Sequence, residues 1–221
     1  GTVCDIMPLT DENRIFVKRG LRRLTNSTNL GINALKKALG LDGKPIEVHH
    51  LSFRIGPSLN STGRLESAKE GVELLLTDDP ARAESLAQDM ARLNELRKDM
   101  TDRGVRAATD WVRKDIRMIP TEDGVKEKKI GDDKVIVLYM PGIHESIAGL
   151  IASKLKEAFY RPTLVFTDAE NGQGLKGSGR SIETYNMFDK LCEHKELFVK
   201  VGGHPMAAGF TITREALEPL R

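Results

Sequence analysis

The sequence predicts an α/β protein of two lobes joined by a long helix, with a C-terminal lobe built as a mixed β-sheet flanked by helices. An apolar stripe at helical spacing runs through residues 80–111. An apolar run, an amphipathic segment and a second apolar run then follow closely within residues 135–166, which is the order of a parallel β-α-β unit. A length of 221 residues allows either one large domain or two small ones.

Residues 1–45 predict a short extended segment followed by two helices. A helical stripe follows Asp11, and Asn29 precedes a second stripe that Gly40 can end. The sequence begins inside an apolar segment without an initiator Met. We therefore expect a fragment of a longer protein, with part of its active site elsewhere.

Residues 46–118 predict an irregular connector and then the long helix. Two glycines, a proline and several polar residues within 53–65 argue against regular structure there. A loop of this length is uncommon in a compact domain unless it is functional. Asp79 is a suitable N-cap, and Pro80 suits the first helical position. A helix from there to about Trp111 would extend roughly 50 Å, which favours a bridge between two lobes.

Residues 119–221 predict a separate α/β lobe. Because its first strand, helix and second strand follow at short spacing, they predict a parallel pair inside a mixed sheet. The predicted elements, in order, are a strand over 135–139, a helix over 144–156, a strand over 163–166, a Gly-rich hairpin over 172–182, a helix over 185–191 and a strand over 207–213.

The composition is that of an ordinary globular protein, with 39% hydrophobic and 30% charged residues. A formal charge of +2 is too small to predict nucleic-acid binding, so a cationic groove would need local clustering of charge. Cys4 and Cys192 lie far apart without the spacing of metal ligands, which favours reduced thiols and a cytoplasmic protein. No apolar run is long enough to cross a membrane, and we expect no membrane association.

The string from Gly202 to Phe210 (GGHPMAAGF) predicts a phosphate or nucleotide site. Gly202 and Gly203 let the backbone approach a ligand closely. His204 can donate a hydrogen bond or a proton at neutral pH. The alternative is a tight turn that leads into a strand.

A second candidate phosphate site lies within residues 176–181 (KGSGRS). Gly177 and Gly179 would keep the backbone bare, while Ser178 and Arg180 would share one face of an extended segment. A hydroxyl beside a guanidinium suits a phosphate, because Arg can make a bidentate contact. The alternative is a surface hairpin.

Further polar side chains are candidates for contacts with an anion. His144 stands where a helix begins, and it could either face a phosphate at the positive end of that helix or cap the helix. Arg54, Asn60 and Arg64 could present hydrogen-bond donors to phosphate oxygens from the predicted loop.

Two features raise the question of a metal ion. The adjacent His49 and His50 have only Glu47 close by in sequence, which favours a structural or solvent-exposed role. Asp5 is the one carboxylate in an apolar, strand-like run, where a charge is costly unless it is paired or bound to a metal. A single Asp cannot hold a catalytic ion, so its partners would have to come from elsewhere.

Four motifs, taken together and in order, carry a resemblance to a known family. Residues 1–9 (GTVCDIMPL) resemble the last metal-binding motif of the DHH phosphoesterase domain, and residues 53–65 (FRIGPSLNSTGRL) resemble a connector motif. Residues 176–182 and 202–210 resemble the two hallmark motifs of the DHH-associated domain, and residues 144–155 fit one of its helices. Over essentially its whole length the chain resembles the RecJ-type exonucleases of the DHH phosphoesterase superfamily.

This resemblance implies three regions: the end of a DHH domain over 1–45, the connector and bridging helix over 46–118, and a DHH-associated nucleic-acid-binding domain over 119–221. It implies two Mn²⁺ or Mg²⁺ ions, with Asp5 as one ligand and the remaining ligands outside this sequence. Ser178 and Arg180 would grip the 5′-terminal phosphate, and His204, the implied catalytic residue, would lie against the scissile phosphate or a nearby nucleotide. The other nucleic-acid contacts would come from Arg54, Asn60, Arg64, His144, Gly202 and Gly203.

The implied function is metal-dependent 5′→3′ degradation of single-stranded DNA in DNA repair and recombination. The expected protein is a monomer whose partners include a single-strand-binding protein and a helicase, and we expect this fragment alone to be inactive. Ser58 stands where the family often has Arg, which removes one possible phosphate contact. The alternatives are a related phosphodiesterase acting on short RNA oligonucleotides or cyclic dinucleotides, and a non-catalytic nucleic-acid-binding module.

Overall fold

The computed structural model describes residues 2–5, 7–65, 67–114, 116–121 and 124–221. They form two compact units, Gly1–Lys98 and Asp99–Arg221. No helix among the described residues is long and apolar enough to cross a membrane.

The first unit is helical. Its core joins apolar side chains from several helices, among them the fully buried Leu35, Leu74 and Met90. Its elements are α1 (Asp11–Thr25), α2 (Leu30–Ala38), α3 (Val48–His50), a π-helical turn (Leu51–Ile55), α4 (Gly56–Leu65), α5 (Ala68–Leu76) and the beginning of α6 (Pro80–Lys114).

The predicted helix ends are confirmed where capping chemistry is local. The Asn29 side chain accepts a hydrogen bond from the Ile32 N–H at 2.9 Å and caps α2. Gly40 follows α2 with a φ of +65°, a conformation that glycine adopts readily. Asp79 accepts a bond from the Ala81 N–H at 2.9 Å where the long helix α6 begins.

One basic side chain of α2, Lys36, is buried. Its ammonium group donates to the carbonyl oxygens of Leu24 and Thr25 and to Asn33 Oδ1, at 2.9–3.2 Å. A buried ammonium needs such partners, so this cation links the end of α1 to α2.

The prediction of an irregular connector over 53–65 is wrong, because the segment is helical. A π-helical turn ends at Ile55, two residues before Pro57, whose missing N–H cannot continue an α-helical ladder. Ser61 and Thr62 are buried, and their hydroxyls donate to the carbonyls of Ser58 and Leu59 at 2.7 and 3.0 Å. These small polar residues therefore pack helices together instead of forming a loop. Ser58 is itself fully buried.

The predicted extended start is also wrong for the described residues. Residues 2–5 form a turn, and the Met7 N–H donates to the Thr2 carbonyl at 3.1 Å. Asp5 is therefore an exposed turn residue and not a buried strand residue.

The second unit combines strands and helices. Its elements after α6 are β1 (Ile116–Thr121), β2 (Gly124–Lys129), β3 (Ile136–Tyr139), α7 (Glu145–Phe159), β4 (Thr163–Asp168), β5 (Leu175–Arg180), α8 (Met187–Cys192), β6 (Lys200–His204), β7 (Ala207–Ile212) and α9 (Leu217–Leu220). Five strands form a mixed sheet of order β3-β4-β5-β7-β6, and β1 and β2 form a separate antiparallel pair. In the five-stranded sheet β3 and β4 run parallel, and the other neighbouring strands run antiparallel.

The parallel β3-α7-β4 unit within a mixed sheet is confirmed. The Gly-rich segment 172–182 is not a hairpin by itself: Gly172 and Gly174 lie in the turn of a hairpin that β4 forms with β5, and β5 pairs with β7 on its other side. The pair Gly202-Gly203 lies in strand β6 and not in a loop.

The two faces of the five-stranded sheet are built differently. On one face α7 packs over β3, β4 and β5, and buries Leu138, Val165 and Ile151 in one core. On the other face Phe166 and Phe210 form a second core with Met187 of α8. We call this second side the packed face.

Candidate nucleic-acid interface

The register of the sheet decides which predicted site residues meet. In β5 the side chains of Lys176, Ser178 and Arg180 alternate with buried Leu175, Gly177 and Gly179. Ser178 is paired with Val165, which belongs to the core under α7. Residues of a strand that are two apart share a face, so Ser178 and Arg180 lie on the α7 side of the sheet.

Two rows across the sheet bring the two glycine-rich motifs together. One row pairs Ser178 with Gly209 and Gly209 with Gly202. The next row pairs Arg180 with Ala207 and Ala207 with His204. Directly paired residues point to the same face. Ser178, Arg180, Gly202 and His204 therefore share the α7 side, although they come from motifs far apart in sequence.

On this side, β7 and β6 expose one pair of glycines. Gly202 and Gly209 are exposed, and a Cβ built on either one would meet no atom of the described residues within 4 Å. We call these two paired residues the glycine floor, and the α7 side of β7 and β6 the open face. The floor gives a ligand direct access to the backbone, and Ser178 and Arg180 of β5 border it.

The other glycines of the two motifs serve packing. A Cβ on Gly177 would lie 2.2 Å from Phe210 Cε2, and one on Gly179 would lie 2.4 Å from Met187 Sδ. These two glycines therefore make room for side chains of the packed core and do not leave the backbone bare for a phosphate. Gly203 is likewise confined, since its Cβ would lie 2.3 Å from the Ala207 carbonyl oxygen. A contact between Gly203 and nucleic acid stays a prediction.

Ser178 and Arg180 form a hydrogen-bonded pair. Arg180 Nη1 donates to Ser178 Oγ at 2.9 Å and to the Gly179 carbonyl at 2.7 Å. Both side chains are half-buried beside α7. A hydroxyl and a guanidinium held side by side can both donate to the oxygens of one phosphate.

His204 lies exposed where β6 ends. The Met206 N–H donates to its Nδ1 at 3.3 Å, so in the neutral ring the proton is on Nε2. The turn after it is fixed, because the Pro205 and Met206 carbonyls accept bonds from the N–H groups of Met187 and Ser181 at 3.0 and 2.9 Å. His204 can therefore offer an Nε2–H donor from a rigid turn.

His144 caps α7, which is one of the two roles that the sequence left open. The Ser146 N–H donates to His144 Nδ1 at 3.2 Å, and the Ser146 hydroxyl lies 2.7 Å from the same nitrogen. His144 Nε2 lies 3.2 Å from Glu170 Oε1. A phosphate contact by His144 stays a prediction.

The far end of the open face has mixed charge. Lys176 pairs with Glu145, and the row that pairs Lys176 with Thr211 continues to exposed Lys200. At the same end of the sheet but on the packed face, the Tyr139 hydroxyl donates to Asp168 Oδ1 at 2.8 Å. The hydrogen bonds from Tyr139 and then from Arg214 lower the pKa of the Asp168 carboxyl.

In the first unit, Asp5 and Asn60 line a cleft of about 530 Å³ whose other walls are mainly apolar. Arg54 donates through Nη2 to the Leu39 carbonyl at the end of α2, a structural role that the sequence did not predict. The Arg64 side chain lies outside the described residues. Contacts of Arg54, Asn60 and Arg64 with nucleic acid stay predictions.

A complete metal centre is not found within the described ranges, where no three His, Cys, Asp or Glu side chains are grouped to hold an ion. Asp5 could contribute one carboxylate only. His49 Nδ1 lies 3.2 Å from Glu47 Oε2, and His50 Nδ1 accepts a bond from the Glu47 N–H at 3.1 Å. Burial and the neighbouring His49 lower the pKa of His50. The histidine pair therefore has a local structural role, as the sequence favours.

Sequence reasoning included Gly209 only as part of the string from Gly202 to Phe210, and it missed Gly149. Gly209 completes the glycine floor, and Gly149 in α7 lies against the Ser178–Arg180 pair. A glycine inside an amphipathic helix lowers helix stability relative to alanine, so Gly149 was a detectable sign of close packing. The role of Gly209 depends on strand pairing, which no local pattern shows.

Comparison with known proteins places the two units in one family. The DHHA1 domain model matches residues 132–221. The single-stranded-DNA-specific exonuclease RecJ of Bacillus subtilis (strain 168) is 36% identical over 100% of this chain, which covers 26% of that protein. The Escherichia coli (strain K12) protein of the same name is 35% identical over 97% of this chain, which covers 36% of that protein.

Solved structures agree with the sequence matches. RecJ from Thermus thermophilus in complex with Mg²⁺ has a TM-score of 0.80 at 29% identity, over 99% of this chain and 31% of that one. Exonuclease RecJ bound to manganese has a TM-score of 0.79 at 30% identity, over 99% of this chain and 50% of that one. Because it matches RecJ proteins along essentially its whole length in sequence and in fold, this chain belongs to the RecJ family.

Proposed function

We propose that this chain is the part of a single-stranded-DNA exonuclease that holds the DNA strand and its 5′-terminal phosphate. The observation that carries the proposal is the single face that unites the Ser178–Arg180 pair, the glycine floor and His204. The relatives it matches are named for single-strand-specific exonuclease activity, and it spans about a quarter to a third of their length. The activity of the whole protein is therefore part of the proposal.

The donors on this face suit a phosphate. Arg180 and Ser178 offer a guanidinium and a hydroxyl 2.9 Å apart, and His204 lies in the row of Arg180, two strands away. Neighbouring strands are about 4.8 Å apart, so the backbones of these two residues are separated by about 10 Å. That spacing fits a terminal phosphate at Arg180 with the next nucleotide over the floor.

The open face favours the sugar–phosphate backbone over stacked bases. Proteins that stack single-stranded bases use aromatic side chains as platforms. The described aromatic side chains of β4 and β7, Phe166 and Phe210, are buried on the packed face. Binding through the backbone is independent of sequence, as degradation of any single strand requires.

Hydrolysis itself would need more than the described residues. The proposed Mn²⁺ or Mg²⁺ dependence rests on relatives whose structures contain these ions, while Asp5 alone does not make a metal site here. We propose 5′→3′ polarity, a role in DNA repair and recombination, a monomeric cytoplasmic protein, and a single-strand-binding protein and a helicase as partners.

Fluorescence anisotropy tests the proposal on the 221-residue chain. Two single-stranded DNA oligonucleotides of one sequence, labelled at the 3′ end, carry either a 5′-phosphate or a 5′-hydroxyl. The wild-type chain should prefer the phosphate. Arg180→Ala should weaken binding of the phosphorylated strand by about 10- to 100-fold, since a hydrogen bond to a charged group contributes about 1.5–3 kcal/mol. Binding of the hydroxyl strand should change little.

Arg113→Ala is the matched control, because it removes one positive charge from an exposed position of α6. It should leave the preference for the phosphate intact. Equal losses on both strands in Arg180→Ala, or no preference in the wild-type chain, would overturn the proposal.

A further inference from the structure

A glycine inside α7 touches the proposed phosphate-binding pair. Gly149 is buried in the middle of this helix, where alanine would favour the helix more. A Cβ built on Gly149 would lie 2.7 Å from Arg180 Nη2 and 2.9 Å from Ser178 Oγ. Real Cβ atoms do not approach other atoms so closely, so the pair occupies space that only glycine leaves free.

The groups that an added methyl would displace are the donors themselves. Both contacts are with the ends of side chains, an Nη nitrogen and an Oγ oxygen, and not with the backbone of β5. A guanidinium and a hydroxyl can move by changing side-chain rotamer, so the fold can accommodate the methyl. Such rotamer changes alter the position of the Arg180 guanidinium relative to the Ser178 hydroxyl.

We propose that Gly149 is a positioning residue that seats Ser178 and Arg180 against α7 and so fixes the geometry with which they recognise a terminal phosphate. This inference rests on the proposed function. It extends the site to a residue that touches no ligand, because the bare Cα of Gly149 acts through the two side chains packed on it. Fixing donors in advance lowers the entropy lost when a ligand binds.

Gly149→Ala tests this role through the ratio of affinities for the 5′-phosphate and 5′-hydroxyl strands. The ratio should fall by at least about fivefold, while thermal unfolding occurs at or above the wild-type temperature because alanine favours the helix. A purely structural glycine would give the opposite result, with lower thermal stability and an unchanged ratio. That outcome would overturn the inference.

Gly104→Ala is the matched control. Gly104 lies in α6, and a Cβ built on it would lie 2.5 Å from Ile151 Cδ1 of α7. Gly104→Ala therefore disturbs the packing of α7 at a position away from Ser178 and Arg180. It should keep the wild-type ratio. A loss as large as in Gly149→Ala would mean that any disturbance of α7 affects recognition, and it would overturn the specific role of Gly149.

The double variant Gly149→Ala/Arg180→Ala keeps the inference testable if the single variant folds poorly. Removing the guanidinium removes the shorter of the two clashes, so the double variant should fold and should bind both strands much as Arg180→Ala does. A clear further loss of affinity would overturn the inference. If Arg180→Ala loses the preference and a folded Gly149→Ala keeps it, the inference fails while the proposed function stands.

Discussion

The packed face and the open face of the five-stranded sheet use glycine for opposite purposes. On the packed face, Gly177 and Gly179 make room for Phe210 and Met187, within about 2.4 Å of where a Cβ would stand. On the open face, Gly202 and Gly209 have no atom of the described residues within 4 Å of that position. The glycines of the two motifs therefore do not form one site, because those of β5 make room for the core while Gly202 of β6 and Gly209 of β7 leave room for a ligand.

The largest effect expected from this difference is on folding, and it separates Gly177→Ala from Gly202→Ala. Gly177→Ala should lower the free energy of unfolding by about 1–3 kcal/mol, because the methyl overpacks the core against Phe210. Gly202→Ala should stay within about 0.5 kcal/mol of wild type, since it stands on an exposed strand. Urea denaturation measures both.

The affinity for single-stranded DNA should distinguish the same two variants in the opposite sense, with the larger change in Gly202→Ala. The methyl of Gly202→Ala projects from the glycine floor and should weaken single-stranded DNA binding, whereas folded Gly177→Ala should bind as wild type does. Two variants that lose affinity equally would show that the open face is not where the strand lies.

An intermediate effect is expected from an ion pair outside the glycine floor. Hydrogen bonds from Tyr139 and Arg214 lower the pKa of Asp168, so its ionised form is more favourable in the folded chain than in the unfolded chain. The stabilisation is present above the unfolded pKa of about 3.9 and is lost as pH falls through the lower folded value. Asp168→Asn should reduce stability at neutral pH.

That reduction should disappear once the pH has fallen through the lowered folded pKa of Asp168, because the wild-type carboxyl is then protonated as well. Denaturation of both proteins across this range measures it, and DNA binding at neutral pH should be unaffected. A stability difference that persists unchanged at low pH would contradict the ionic origin of the stabilisation.

The smallest effect on DNA affinity is expected from removing bases from the DNA strand. If the open face holds the sugar–phosphate backbone, a strand with abasic sites in the two nucleotides next to the 5′-phosphate should bind with nearly the affinity of the intact strand. Loss of stacking on a protein aromatic ring would cost about 1–3 kcal/mol per base. Competition between the intact and the abasic strand, followed by fluorescence anisotropy, measures the difference in affinity. A loss of about 1–3 kcal/mol of binding free energy per removed base would contradict binding through the backbone.

Local chemistry made part of this fold predictable from sequence. The cap at Asp79 and the proline after it fixed the start of α6, and closely spaced apolar runs predicted the β3-α7-β4 unit. The same local rules fail over residues 53–65, because polar residues such as Ser61 and Thr62 favour a loop when only their neighbours in sequence are considered. Their burial between helices depends on contacts far apart in sequence, such as that of Ser61 Oγ with the Met90 carbonyl at 3.3 Å.

The sequence predicts which residues belong to the candidate site but not how they are arranged in the fold. Ser178 and Arg180 were expected to share a face from their spacing of two, and they do. That His204 and Gly202 join them follows from the register of β5, β7 and β6, which no single motif contains. Arg54 was expected to face a ligand, and its bond to the Leu39 carbonyl again depends on tertiary packing.

The most direct test of the open face uses Ala207 and Ala208, neighbours in β7 with methyl groups on opposite sides of the sheet. Ala207 stands in the row of Arg180 and His204, and Ala208 is buried in the packed core. In a chain labelled with ¹³C at the alanine methyl groups, a 5′-phosphorylated single-stranded oligonucleotide should shift the NMR resonance of Ala207 and leave that of Ala208 nearly unchanged. Equal shifts at both, or a shift at Ala208 alone, would contradict the assignment of DNA binding to the open face.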